Sequence, residues 1–277
     1  MGNEGELPET EGFNTLVRAR HGLFLYNRND AYIGKSLAAY GEYCETECRV
    51  FLQLCRPGDC VIEAGANIGV HTVPMAKAVG AQGRVFAFEP QRVVFQTLCA
   101  NLALNSLTNV ESHWAAVGNE AGEVRIPEID YTRPGNFGGL AVDGFDEGRQ
   151  VPQIALDDYL DLPHLRFIKV DVEGMEDKVL RGAEKTIATH RPYLYLENDR
   201  VEKSEALIRQ VMDMGYKPYW HLPRLFEPNN FFGNEENLFG RIISVNMFCV
   251  PEELSPDLTG FQPVDDPTEH PMKRQES

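Results

Sequence analysis

The 277 residues carry 42 acidic against 26 basic side chains, a formal net charge of −16. That balance excludes an extended nucleic-acid footprint, which needs clustered Lys and Arg, and it disfavours docking on anionic lipid. A hydrophobic fraction of 43% is ordinary for a globular core and suits one large α/β domain with extensions.

Residues 1–12 are acidic and polar and read as disordered. Asn14 to Tyr26 alternates loosely, as a hairpin or edge strand does. From Tyr32 to Leu54 the pattern turns helical in its second half, and Arg56-Pro57-Gly58-Asp59 stops it. Residues 13–59 therefore form an N-terminal extension able to cover a ligand on the domain that follows. Tyr40, Glu42 and Glu45 are its polar candidates for that cover.

Strict alternation begins at residue 60. Strands are predicted at Cys60–Ala64, Val85–Phe88, Val110–Val117, Phe167–Val172 and Tyr193–Glu197, with final strands at Tyr216–His221 and Ser244–Val250. Helices are predicted at 70–79, 91–105 and 204–214, and after Glu173-Gly174 with Val179, Leu180, Ala183 and Ile187 on one face. Such alternation means an α/β fold, a mostly parallel sheet with helices on both faces, over residues 60–251. Residues 118–154 read instead as short antiparallel strands plus loop. Residues 222–243 are loop-like but hold four Phe, and 252–277 form a polar, proline-containing tail that reads as disordered. Asp157 and Asp158 read as caps of a short helix at Tyr159–Leu160. His113 and His221 have no assigned role.

Six cysteines are scattered, and no second Cys or His pair completes a zinc pattern beside Cys44 and Cys48. They read as reduced thiols in small apolar sites. No stretch approaches a membrane span, and the expected location is cytoplasmic.

The chemistry concentrates where the first strand of the domain meets Gly65-Ala66-Asn67-Ile68-Gly69. A strand, a glycine turn and a helix open a nucleotide-binding βαβ unit. The two glycines allow a sharp turn and close approach of a ligand. Glu89, about 20 residues on, ends the next strand, where an acid can accept both hydroxyls of a ribose. The pyrophosphate spacing G-x-G-x-x-G is absent, so a nucleoside cofactor without a phosphate fits better: S-adenosyl-L-methionine (SAM).

The runs VIEAGANIGVHT, VFAFEP, LDDYL, FIKVDVEGMEDKVLRGA and RPYLYLEN, in that order, resemble the FkbM-type SAM-dependent methyltransferases across roughly residues 40–200. The resemblance implies a class I methyltransferase fold, Rossmann-like and doubly wound, with seven mostly parallel strands. It also implies SAM as cofactor and methyl transfer, usually to oxygen, in natural-product or saccharide pathways. Glu63, Gly65, Ala66, Asn67 and Gly69 are expected at the cofactor, together with Glu89, Ala116 and Asp171. Asp171, Glu173 and His71 are the catalytic candidates, because an aliphatic hydroxyl needs a base to take its proton. No metal is assigned, although clustered carboxylates also suit Mg²⁺. The expected partner is a small-molecule or saccharide acceptor. Segment 222–243 reads as a lid over that acceptor or, alternatively, as a homodimer contact. Rival readings are an NAD-dependent oxidoreductase and a non-catalytic relic.

Overall fold

The computed structural model describes residues 10–140, 144–256 and 258–275, together with Leu7. Most of the N-terminal stretch expected to be disordered lies outside these residues. The loosely alternating segment after it is a hairpin, β1 (Asn14–Ala19) and β2 (Gly22–Asn27). Segment 32–54 makes two helices, α1 (Ile33–Tyr40) and α2 (Glu45–Leu54). The break falls where Gly41 and Cys44 take left-handed φ values of 66° and 45°.

The alternation then runs as the periodicity dictates. β3 (Cys60–Ala64), α3 (Thr72–Val79), β4 (Arg84–Phe88), α4 (Arg92–Leu104) and β5 (Val110–His113) follow one another. The stretch read as one strand over 110–117 splits at Trp114. Its second half, β6 (Ala116–Val117), joins a side sheet with β7 (Gly122–Ile126) and β8 (Arg149–Ile154) in the order β6-β8-β7. After α5 (Leu156–Tyr159) and β9 (Phe167–Val170), the predicted helix is interrupted, giving α6 (Glu176–Arg181) and α7 (Glu184–His190). Gly182 lies between them because a Cβ there would sit 2.0 Å from the Gly118 carbonyl oxygen. Asp157 caps the second of these helices, accepting from the Lys185 and Thr186 N–H groups at 2.9 and 2.8 Å, and not its own short helix. The chain continues through β10 (Tyr193–Glu197), α8 (Val201–Asp213), β11 (Tyr216–His221), β12 (Asn246–Pro251) and β13 (Gln262–Pro263).

The main sheet has the order β13-β11-β12-β10-β9-β3-β4-β5. Strands β5-β4-β3-β9-β10 are parallel in the doubly wound order, and β12 inserts antiparallel between β10 and β11. This is the class I methyltransferase arrangement expected from the resemblance, with the seven expected strands and β13 added at the β11 edge as an eighth. All residues of β3 and β9 are buried, as central parallel strands require. Ile62, Phe88, Ile168 and Leu194 pack against Val179, Ile187 and Ile208 on one face. Val61, Val85 and Phe167 pack against Phe51, Met75 and Val79 on the other. Each such aliphatic side chain, once fully buried, contributes roughly 1.5–3 kcal/mol. Glu63 and Lys169 are direct cross-strand neighbours on this second face.

The polar tail is ordered where it is described, contrary to the sequence reading. β13 pairs with edge strand β11, Val264 is buried, and the buried His270 ring packs on Trp220 with Nε2 2.8 Å from the Asn198 carbonyl. A few anchors in a polar segment suffice to cover an open sheet edge. Among the described residues, no helix is long and apolar enough to cross a membrane.

Candidate active site

Two turns at the carboxyl ends of adjacent strands build the site. At the first, the Gly65 and Ala66 N–H groups donate to the Phe88 carbonyl at 3.0 and 2.9 Å. Asn67 takes a left-handed φ of 50° and donates its N–H to Glu89 Oε2 at 3.0 Å, and its own Oδ1 accepts from Ile68 N–H at 2.8 Å. Gly65 is required for a reason other than ligand space: a Cβ there would lie 1.8 Å from the Asp171 carbonyl oxygen. Gly69, expected at the cofactor, lies off the walls of the two hollows that flank Glu89. A Cβ on it would meet Leu98 of α4 at 2.7 Å, so it serves helix–turn packing.

Glu89 is buried, and its second oxygen accepts from Gln91 N–H at 2.8 Å. Burial pushes its carboxyl up to about 7, against the pull of those two backbone donors. Ionised, it has lone pairs left for two more donors. It stands between two hollows. The first is an apolar slot formed by Phe88, Ala115, Ala116, Leu140 and Met175. The second is a cavity of about 300 Å³ with Ala66, Asn67, Glu63 and His71 on its wall. Gly65, Glu89, Gly138, Asp171 and Glu173 line both.

The second turn follows β9. Asp171 N–H donates to the Ala64 carbonyl, and Asp171 Oδ2 accepts from Lys169 Nζ at 2.9 Å. Asp171 does not cap the next helix. That turn is closed by Glu176, whose Oε1 accepts from Val172 N–H and Gly174 N–H at 3.2 and 3.1 Å. Glu173 has a φ of 56°, unusual for a residue with a side chain. Its Oε2 accepts from Arg200 at 2.6 Å, while burial and the neighbouring Asp171 charge push its carboxyl up to about 8. The three strand-end acids Asp171, Glu173 and Glu197 each place one oxygen within 4.8 Å of the others. Glu197 Oε2 is buried with no hydrogen-bond partner, and burial pushes this carboxyl well above its ordinary value.

Lys169 has no place in the sequence reading. It is a lone cation in an otherwise apolar strand, and that oddity is the signal that could have exposed it. Its side chain is 3% exposed and lies 3.9 Å from Glu63. Burial pulls its pKa down, but Asp171, Glu63 and Glu47 more than offset this and the ammonium is held. Glu63 also accepts from Thr72 Oγ1 at 2.6 Å, and burial pushes it up to about 7. His71 sits at the start of α3 with its ring against Tyr43 and Phe51. Burial, then the Lys169 charge, keep its pKa well below the ordinary value, so the imidazole is neutral and its buried Nε2 has no partner.

The cavity is roofed by α1, α2 and segment 222–243. Tyr32, Ile33, Tyr43 and Glu47 line it from the N-terminal extension, and Leu225, Ile242 and Ile243 line it from the segment. Tyr40, Glu42 and Glu45, the expected cover, lie off the wall and hold the roof in place. Tyr40 donates its hydroxyl to the Glu236 carbonyl at 2.9 Å and accepts from Leu238 N–H at 2.8 Å. Glu42 pairs with Arg20 and accepts from Phe231 N–H, and Glu45 pairs with His21. Phe226 and Phe239 pack on the Tyr40 ring. The Asn230 and Asn234 amides bond the loop to itself and to the Ala39 carbonyl. His113 stacks on Phe88 and His221 bonds the Tyr195 hydroxyl at 2.6 Å, both off the cavity wall.

Known proteins are similar to this chain. Methyltransferase 1 of Beauveria bassiana (strain ARSEF 2860) is 31% identical over 149 residues, covering 45% of this chain and 58% of that protein. Methyltransferase sdnD of Sordaria araneosa is 28% identical over 159 residues, covering 45% and 60%. The chain thus spans about 60% of the length of these relatives. The crystal structure of Methyltransferase FkbM from Methylobacillus flagellatus KT superposes at a TM-score of 0.45 with 20% identity, over 79% of this chain and 55% of that one. A family model described as a methyltransferase FkbM domain matches residues 63–218, more than half of the chain, and the chain belongs to that family.

Proposed function

We propose that the protein transfers a methyl group from SAM to a hydroxyl oxygen of a small, polyhydroxylated acceptor. The observation that carries this reading is the pair of hollows meeting at Glu89, one apolar and one lined with acid. The slot between Phe88, Leu140 and Met175 suits an adenine ring, and Glu89 suits a ribose diol. The acidic cavity suits a sulfonium and an ammonium group. When bound, SAM supplies an electrophilic methyl carbon, so the protein has only to align the acceptor and handle its proton.

Exposure decides which carboxylate does so. The Asp171 side chain is 40% exposed, that of Glu173 16% and that of Glu63 1%. Asp171 is the one an acceptor hydroxyl can reach, and it takes the proton as the oxygen is methylated. Lys169 holds Asp171 in place from below. Glu173, fixed by Arg200, bounds the pocket beside it. Segment 222–243 acts as the lid that keeps water from the acceptor, with the buried Leu225 on the cavity wall. A strongly anionic acceptor would be repelled by this wall, and a saccharide-like one would not.

A dinucleotide fits poorly. The turn N–H groups of Gly65, Ala66, Asn67, Ile68 and Gly69 all have internal acceptors, so none is left to cradle a pyrophosphate. The six free cysteines, five of them buried, suit a reducing compartment and support a cytoplasmic reading. Calorimetry with SAM, S-adenosylhomocysteine and NAD tests the cofactor, and a panel of hydroxylated acceptors with methyl-labelled SAM tests the reaction. Binding of NAD without binding of SAM would overturn the proposal.

A further inference from the structure

The acids at the strand ends exceed what methyl transfer requires. Among the described residues, the larger cavity carries seven carboxylates against the cations Lys169 and Arg200. SAM adds only one net positive charge. Three of those carboxylates, on Asp171, Glu173 and Glu197, converge until one oxygen of each lies within 4.8 Å of the others. Glu197 Oε2 is buried there with no hydrogen-bond partner. A buried carboxylate oxygen without a donor is costly, and it indicates a ligand that supplies positive charge at that point.

We propose that Asp171, Glu173 and Glu197 form a divalent-cation site beside the acceptor. The donors are all oxygen, which selects a hard ion, Mg²⁺ or Mn²⁺, over zinc. Three protein oxygens leave coordination positions for water and for an acceptor oxygen. The backbone aims the ligands. The left-handed φ of 56° at Glu173 places it on the same wall as Asp171, and Glu176 locks that turn through Val172 and Gly174. Lys169 and Arg200 each hold one ligand from outside the cluster, Lys169 on Asp171 Oδ2 and Arg200 on Glu173 Oε2. The other ligand-like group, His21, Glu45 and Cys48, differs because none of its atoms is among the buried polar atoms left without a partner. The cation site stands on this geometry alone; its role, to draw an acceptor hydroxyl against Asp171 and acidify it, rests on the methyl-transfer reading.

The test uses the full chain stripped with EDTA and titrated with Mn²⁺ alone, free Mn²⁺ being read by electron paramagnetic resonance. One saturable site with a dissociation constant below about 1 mM is expected. Glu197→Gln and Glu173→Gln, each checked for a native thermal transition, should weaken it at least about 10-fold, and His21→Ala should leave it unchanged. No saturable binding by the wild type overturns the proposal. So does wild-type affinity in both Gln variants, or loss of binding in His21→Ala. SAM binding measured in EDTA separates the two readings. Mn²⁺ bound without SAM keeps the cation site and removes the methyl-transfer reading, whereas SAM bound without Mn²⁺ does the reverse.

Discussion

The two turns at the ends of β3 and β9 are neighbours, yet they use their polar groups in opposite ways. The Gly65–Gly69 turn spends every backbone donor internally, on the Phe88 and Ala66 carbonyls, Glu89 and Asn67. Its special backbone angles fall mostly on glycine, where they are cheap. The Asp171–Gly174 turn puts a left-handed angle on Glu173, a residue with a side chain, and leaves acids facing a cavity. Strain of this kind persists only where the surroundings over-determine it, and it gathers at sites that do chemistry. On the proposed function, the first turn is a frame and the second carries the reaction.

If that division holds, breaking the frame should cost the fold, and breaking the second turn should cost only turnover. The largest effect is expected from Gly65→Ala. Its Cβ would lie 1.8 Å from the Asp171 carbonyl oxygen at a left-handed φ of 85°. A loss of about 4 kcal/mol or more in denaturant unfolding is expected. Near-native stability would show that the frame yields more readily than its geometry indicates.

Asp171→Asn keeps the shape and removes the proposed base. Turnover should fall about 10²- to 10⁴-fold, with SAM affinity within a few-fold of wild type. Full activity with unchanged acceptor KM would move Asp171 from the reaction to the scaffold. Glu89→Ala should sharpen the contrast from the frame's side. Its carboxylate orders Asn67 and Gln91 and also lines both hollows, so on the proposed function about 2 kcal/mol of SAM affinity should be lost in calorimetry. Unchanged affinity in a folded variant would remove the ribose assignment.

A separate effect is on stability against pH. Glu63, Glu89 and Glu176 sit at about 7 against an ordinary value of 4.5, burial being the largest cause for each. Between those values the native state holds protons that the unfolded chain has released. Stability is therefore fully present below 4.5 and falls as pH rises towards 7. Thermal scans of the ligand-free protein should show Tm declining across that window. A Tm that climbs with pH would mean that these carboxyls are solvated.

Much of the fold was legible in the sequence, because helix and strand periods are local and central parallel strands are apolar on both faces. β3, β4, β10 and the helices α3 and α4 lie within a residue or two of their predicted bounds. Glu89 could be placed because its spacing from the glycines counts residues along one βαβ unit. What tertiary structure decided involves contacts across strands. The Glu63–Lys169 pairing depends on the register of β3 against β9, which are about 100 residues apart in the chain. Gly65 is indispensable because of the Asp171 carbonyl, a neighbour that no local pattern names. The Asn230 and Asn234 amides turned inwards because a loop that folds on itself needs acceptors and donors of its own. Glu197 joined Asp171 and Glu173 only when β10 was laid beside β9, since a sequence shows which strand ends in an acid but not which strands lie side by side.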